Sequence, residues 1–349
     1  MPLFCEAQEG GFFTLNTNRI RSFNATVRGR FNIPVIADTH LSFYYVALRK
    51  ISKSVMHIFH SIADLRSYLR LQRQQGKSVG FVPTMGALHE GHLSLLEASK
   101  VQNDVTICSI FVNPIQFNNP DDLARYPRTL DADCAMLAPA GCDAVFAPSA
   151  EEMYGKATAS DGFEPSDAVA LPLLKFDFGD LERVMEGQFR PGHFNGVGIV
   201  VSKLFNIVQP DRTYFGQKDL QQLAVIRRMM IDLGFQIALH PCPTLREADG
   251  LAMSSRNRNL TPKERALAPH IFKGLMLAKR GLISGKTTTE VKLEVAAHFN
   301  EQPAFRLEYF EIVDAHSLQT TELRLPEAQT ALCIAAHLGK VRLIDNVVF

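Results

Sequence analysis

The run Val105 to Val112 is almost wholly apolar and rich in Val, Ile and Phe. Such a run suits a strand buried on both faces, which needs a layer of helices above and below it. Its neighbours fit that demand. Ile62, Leu65 and Leu69 recur at helical spacing before Gly76, Ser78 to Val82 is a short apolar strand, and Leu93 to Lys100 returns to helical spacing. Further strands are expected at Ala144 to Ala147, Thr213 to Phe215 and Phe235 to Leu239, with helices at Asn195 to Val208 and Leu220 to Leu233. Alternation of this kind predicts an α/β fold with a parallel sheet covered on both faces. Ligands of such sheets bind beyond the carboxyl ends of the strands.

The pattern changes near Pro243. Thr261, Pro262 and Glu264 supply an N-cap, a first-turn proline and a capping-box acid for a helix running to about Gly281, and Thr289 to Phe299 is another helix. Arg306 to Asp314, Thr330 to Ala336 and Val341 to Ile344 read as strands of a smaller α+β part. A chain of 349 residues exceeds what one core usually holds. The expected division is a leader at 1–55, a Rossmann-like domain at 56–244 and a smaller C-terminal lid domain at 245–349. The leader is rich in Arg, Ser and Asn and poor in acids, as in an organelle presequence, but Phe43 to Leu48 is too apolar for one. Met56 is an alternative start. Gly155 to Pro172 reads as a surface insertion.

A formal net charge of +1 argues against a nucleic acid or an anionic membrane as the main partner, and no apolar run approaches the roughly 18 residues that cross a bilayer. Six scattered cysteines without a CxxC pair suit small buried hydrophobes in a reducing compartment better than a zinc site.

Four segments at strand-to-helix junctions carry the chemistry. In Pro83 to His92, Gly86 and Gly91 let the backbone approach a phosphate at the start of a helix. His89 and His92, three apart, point to one side of the first turn and are placed to donate hydrogen bonds to phosphate oxygens. The alternative is that they only cap the turn, and the spacing is not that of a zinc motif. Asn113 and Gln116, at the end of the buried strand, are neutral amides suited to a hydroxyl or carboxylate, or to bonding their own loop. In Gly216 to Gln222, Lys218 is a cation for a triphosphate; Asp219 and Gln222 also admit a local reading as N-cap and capping-box partner. Met253, Ser254, Ser255 and Arg256 make a phosphate clamp on a loop. A fifth segment, Glu186 to Phe194, brings Arg190 and His193, which suit an anion.

Together these segments resemble the pantothenate synthetase (pantoate–β-alanine ligase) family over Met56 to Phe349, including Tyr126 to Thr129 and Val201 to Asn206. The resemblance implies a nucleotidylyltransferase-type Rossmann-like domain, a homodimer and a cytoplasmic location. It also implies a two-step reaction, in which ATP and (R)-pantoate give pantoyl adenylate and pyrophosphate with Mg2+, and β-alanine then gives pantothenate and AMP. On it, Met85, Gly86, Ala87, Leu88, His89, Glu90, Gly91 and His92 line ATP, and His92 matches the family's proton donor. Gly216, Gln217, Lys218, Asp219, Leu245, Met253, Ser254, Ser255 and Arg256 complete the ATP site, with Lys218 and Arg256 neutralising phosphates. Gln116 contacts pantoate and β-alanine, Gln222 contacts pantoate, and Asn113 sits nearby.

The chain departs from the family in its leader and in a longer Gly155 to Pro172 segment. Ala248 stands where some members have lysine, which leaves the charge of that loop to Arg246 and Arg256. Ala132 interrupts the acidic run Asp131 to Asp133 considered for magnesium. Two other functions share these features: another nucleotidylyltransferase, which the amides Asn113, Gln116 and Gln222 disfavour, and a non-catalytic nucleotide-binding module, which the joint presence of His89, His92, Lys218 and Arg256 disfavours.

Overall fold

Parallel strands and their covering helices occupy the first two thirds of the described chain. The computed structural model describes residues 55–118, 120–156, 170–322, 324–325 and 329–349. The leader, apart from Val55, and most of the Gly155 to Pro172 insertion lie outside the described residues. Residues 54–349 form one compact unit.

In chain order the elements are β1 (His57–Phe59), α1 (Ile62–Gln74), β2 (Val79–Thr84), α2 (Glu90–Gln102), β3 (Val105–Ile110), α3 (Pro120–Arg125), α4 (Leu130–Ala140), β4 (Ala144–Phe146) and α5 (Ala150–Tyr154). There follow α6 (Met185–Phe189), α7 (His193–Val208), β5 (Arg212–Gly216), α8 (Leu220–Asp232) and β6 (Ala238–Cys242). The last third contains α9 (Pro262–Leu267), α10 (His270–Ile283), α11 (Thr288–Asn300), β7 (Phe305–Asp314), β8 (Thr330–Leu338) and β9 (Val341–Val348).

The six-stranded sheet has the order β1-β4-β3-β2-β5-β6, with every pairing parallel. Its four inner strands, β2 to β5, are largely buried, as the apolar run of β3 demanded. Val105 and Ile107 of β3 pack with Leu65 and Leu69 of α1, Val197 and Phe205 of α7 and Leu223 of α8. Cys108, pointing the other way, packs with Leu96 of α2 and Leu137 of α4. From β2 the chain winds outward through β3 and β4, then returns to place β5 on the other side of β2. The gap between β2 and β5 is thus the topological switch point, where the loops after these two strands part to open a crevice.

The second sheet, β7-β8-β9, is antiparallel. One face packs under α10 and α11 through Leu275, Val295, Ile312 and Ile334. The other carries Val313, Ala331 and Cys333 onto Met185 of α6 and Ala224 of α8. This second contact sets the small sheet beside the helices that flank the switch point.

Three local expectations shift. The helix expected from Thr261 to Gly281 is two helices: the Thr261–Glu264 capping box forms, but Pro269 stands at the N-cap of α10 and separates it from α9, since proline cannot continue the hydrogen-bond ladder. The last parallel strand is Ala238–Cys242 rather than Phe235 to Leu239. Gly234 turns the chain at φ +67°, and Phe235 and Ile237 pack on the core before the strand begins. Pro241 is tolerated there because β6 is an edge strand. The short strand β1 was not foreseen. No helix among the described residues is long and apolar enough to cross a membrane.

Candidate active site

The loop after β2 is built to bring two histidines to the crevice. Gly86 (φ +82°) and Ala87 (φ +51°) both adopt left-handed conformations, which reverse the chain between β2 and α2. A side chain at Gly86 would approach Asp133 Oδ2 to 2.9 Å, so only glycine fits. For Ala87 the left-handed conformation costs about 1–2 kcal/mol. Asp133 offsets it: its buried carboxylate accepts the N–H groups of Ala87 at 3.0 Å and Leu88 at 2.8 Å. Thr129 Oγ1 donates to the same carboxylate at 3.2 Å.

Asp133 therefore holds the loop rather than presenting a free ligand to magnesium. The same contacts change the sequence expectation for the loop, because the Ala87 and Leu88 N–H groups are already engaged. The Ala87 and Leu88 side chains are buried in the core, Glu90 points outward, and Gly86 does not reach the cavity wall. Met85, His89, Gly91 and His92 do line it.

His89 and His92 form a reciprocal cap at the start of α2. The Gly91 N–H donates to His89 Nδ1 at 3.1 Å, and the His89 N–H donates to His92 Nδ1 at 3.3 Å. Both Nδ1 atoms accept, so both neutral rings carry their proton on Nε2. Desolvation lowers the His92 pKa to about 3, helped by His89, Lys218 and Arg258. Desolvation also lowers His89 to about 4, with Lys218 and Arg258 adding and Asp219 opposing. At neutral pH the pair is two uncharged Nε2–H donors. The capping reading of these histidines is thus realised, and the arrangement leaves the Nε2–H of each ring outside the cap.

The loop after β3 carries the amides. Asn113 and Gln116 are buried, and Asn113 donates to Gln116 Oε1 at 3.1 Å and to the Gly196 carbonyl at 3.2 Å. Tyr154 donates its hydroxyl proton to Asn113 Oδ1 at 2.7 Å. Asn113 is consequently engaged on both polar atoms and orients Gln116, whose Nε2 meets Met85 Sδ at 3.0 Å. Gly196 of α7 permits this, because a Cβ there would strike the Ile115 carbonyl at 2.5 Å.

Across the switch point, the turn Gln217–Asp219 follows β5 and carries Lys218. Asn346 of β9 pins it, donating to the carbonyls of Gln217 at 2.9 Å and Lys218 at 2.7 Å. The Asp219–Gln222 capping box considered from sequence is not made: Asp219 stands at the N-cap without a side-chain bond. Both residues face the cavity instead. Gln217 offers only its carbonyl to Asn346 and lies off the cavity wall.

The loop before α9 brings Leu245, Met253, Ser254, Ser255 and Arg256 to the same cavity. Arg256 lies 3.4 Å from Asp122 and over the Tyr126 ring at 6.0 Å. Arg246, expected to add charge here, is committed elsewhere. It forms a two-pronged pair with Asp345 at 2.6 and 3.0 Å and stacks on Phe272 at 4.1 Å.

These groups enclose one cavity of about 230 Å³. It holds fifteen of the sequence-predicted site residues, all but Gly86, Ala87, Leu88, Glu90 and Gln217: Met85, His89, Gly91, His92, Asn113, Gln116, Gly216, Lys218, Asp219, Gln222, Leu245, Met253, Ser254, Ser255 and Arg256. Arg190 and His193, read from sequence as a polar loop entering a helix, line it too. The His193 Nδ1–H donates to the Gln116 carbonyl at 2.9 Å, leaving Nε2 to accept from Arg190 at 3.2 Å. Burial and Arg190 lower the His193 pKa to about 4. Tyr126 was not singled out by any local pattern. A wall with three cations, two Nε2–H donors and neutral amides suits a polyanion beside a small polar acid.

Residues 57–348 match the family model described as pantoate-beta-alanine ligase. The pantothenate synthetase of Bacteroides thetaiotaomicron is 47% identical over 84% of this chain and 98% of its own length, and that of Porphyromonas gingivalis is 47% identical over 84% and 99%. The crystal structure of the Thermus thermophilus pantothenate synthetase superposes with a TM-score of 0.76 at 39% identity, over 84% of this chain and 99% of that one. The Francisella tularensis pantoate-beta-alanine ligase, solved in complex with beta-gamma ATP and beta-alanine, superposes with a TM-score of 0.67 at 34% identity over 84% and 98%. The chain belongs to the pantoate-beta-alanine ligase family.

Proposed function

We propose that this chain joins (R)-pantoate to β-alanine with ATP, through a pantoyl adenylate, releasing pyrophosphate and then AMP. One observation carries the reading: Lys218, Arg256 and the neutral histidine pair share a cavity with Gln116 and Gln222 at the switch point of the parallel sheet. Cations and Nε2–H donors serve the triphosphate, and amides serve an uncharged hydroxyl and a carboxylate without competing charge.

In the first step the pantoate carboxylate attacks the α-phosphorus of ATP, and the bond to pyrophosphate breaks. Negative charge grows on the phosphoryl oxygens and the departing pyrophosphate. Lys218 and Arg256 oppose it by charge, and His89 and His92 by hydrogen bonds from Nε2. Pyrophosphate leaves readily, so donation without full proton transfer suffices at His92. In the second step the β-alanine amine attacks the acyl carbon and AMP departs, with Gln116 holding both acids in reach and Gln222 holding pantoate. Asn113 contributes by orienting Gln116.

Magnesium enters this reading as the companion of the ATP phosphates, the usual way in which that ion reaches a nucleotide site. Asp133 is not its ligand on this account, since the backbone of the Ala87–Leu88 turn occupies both carboxylate oxygens. Residues 56–244 serve as the ATP- and pantoate-binding part and 245–349 as the smaller part that closes on it. A cytoplasmic homodimer completes the proposal.

The purified chain, given ATP, magnesium, (R)-pantoate and β-alanine, is expected to form pantothenate and AMP in equal amounts, with none formed when either acid is omitted. ATP consumption that yields ADP, or that ignores pantoate, contradicts the proposal. Light scattering that returns the mass of one chain contradicts the dimer alone.

A further inference from the structure

We propose, on the ligase reading above, that Arg342 of β9 is a positioning residue for the site: acting through Glu186, it fixes the guanidinium of Arg190 on the cavity wall. Arg342 does not line the cavity itself. Its side chain grips Glu186 with two parallel bonds, Nη1 to Oε2 at 2.8 Å and Nη2 to Oε1 at 2.7 Å, and Glu308 through Nε at 2.8 Å. Tyr309 donates its hydroxyl proton to Glu186 Oε1 at 2.8 Å. Glu186 is buried, and Arg190 lies 3.7 Å from its Oε2.

From Arg190 the contacts lead directly into the site. Arg190 donates to His193 Nε2, and the opposite ring nitrogen donates to the Gln116 carbonyl. A continuous path Arg342–Glu186–Arg190–His193–Gln116 thus joins the small sheet to a substrate-facing amide. Each link is a hydrogen bond or ion pair between buried or partly buried residues.

The geometry says what Arg342 prevents. Glu186 faces two guanidiniums, and the closer, two-pronged pair is with Arg342. That pair holds the carboxylate away from Arg190 and leaves the Arg190 fork free to reach His193 and the cavity. Without Arg342, Glu186 would be a buried carboxylate with Arg190 as its only cationic partner, and the lost attraction would be recovered by drawing Arg190 toward it. Arg190 and Arg256 also repel one another, which favours the same withdrawal. Arg190 would then leave His193 without its donor and the wall without its third cation.

The test is a double-mutant cycle on the full chain, reading kcat and KM for pantoate-dependent exchange of labelled pyrophosphate into ATP, with thermal unfolding measured alongside. Arg342→Met is expected to lower kcat roughly 10- to 100-fold, the range for a displaced site group. In an Arg190→Met background it should lower kcat no further, because the residue it positions is gone. Arg342→Lys should restore little, since an ammonium cannot form the two-pronged pair. If Arg342→Met fails to fold, the Glu308→Gln/Arg342→Met pair, which removes the second carboxylate that Arg342 neutralises and keeps Glu186 charged, takes its place in the cycle. An unchanged kcat, or losses that multiply across the cycle, overturns the role of Arg342. A wild-type chain with no exchange at all counts instead against the ligase reading.

Discussion

The backbone N–H of His89 donates to Nδ1 of His92 at 3.3 Å, and the two rings lie 4.1 Å apart. This contact assigns the His92 proton to Nε2, and the mirrored bond from Gly91 does the same for His89. With pKa values lowered to about 3 and about 4, mainly by desolvation, neither ring holds an extra proton at neutral pH. Wild-type kcat/KM should therefore show no limb near pH 6.5, acid or alkaline, that belongs to this pair. His92→Asn should lower exchange roughly 10²- to 10³-fold, as for a lost transition-state donor, at every pH between 6 and 8. A loss of activity as pH rises through about 6.5 that His92→Asn abolishes would restore literal proton donation.

The same desolvation sets a pH dependence of stability. His89, His92 and His193 all have folded pKa values well below the ordinary histidine value of 6.5. As pH falls below about 6.5 the unfolded chain takes up these protons and the folded chain does not, so stability falls with pH down to about 4. Thermal unfolding at pH 7 and pH 5 should show the lower midpoint at pH 5. His193→Gln should narrow that gap; a gap that stays the same or widens would mean His193 is not held neutral.

Lys218 and Asn346 make a graded pair. Lys218→Ala should slow the exchange by roughly 10²-fold, the cost of one electrostatic contact in a developing phosphoryl transfer. Asn346→Leu removes the donor to the Gln217 and Lys218 carbonyls and should cost about 1–3 kcal/mol in stability, with a smaller loss of rate. A rate loss at Asn346 exceeding that at Lys218 would show that the asparagine does more than hold the turn.

Asp133 separates loop support from metal binding. Asp133→Asn replaces one acceptor oxygen by an amide that faces the Ala87 or Leu88 N–H, and about 1–3 kcal/mol of stability should be lost. The magnesium concentration giving half-maximal rate should stay the same. A large rise in that concentration, with stability intact, would make Asp133 a metal ligand.

Much of this site was legible because its parts lie at strand-to-helix junctions with short-range signatures. Gly86, Gly91, the histidine pair, Lys218 and Arg256 announce themselves within a few residues of sequence. What escaped depends on partners far away in the chain. Nothing near Asp133 signals that it accepts from Ala87 and Leu88, 46 and 45 residues earlier. Asn346 reaches Lys218 over 128 residues, and Arg342 reaches Glu186 over 156. Asp219 and Gln222 show the converse, a plausible local motif that the crevice draws apart. The fold followed the same division: β3 was evident from its apolar run, whereas β1 has three residues and no period of its own. The break at Pro269 could have been read from the proline alone.

The central claim is that this cavity activates pantoate as an adenylate before any amine is present. Its most direct measurement is the exchange of labelled pyrophosphate into ATP with (R)-pantoate present and β-alanine absent. The account predicts exchange that requires pantoate and is strongly reduced in Lys218→Ala. A chain that binds ATP yet shows no exchange under these conditions would contradict it.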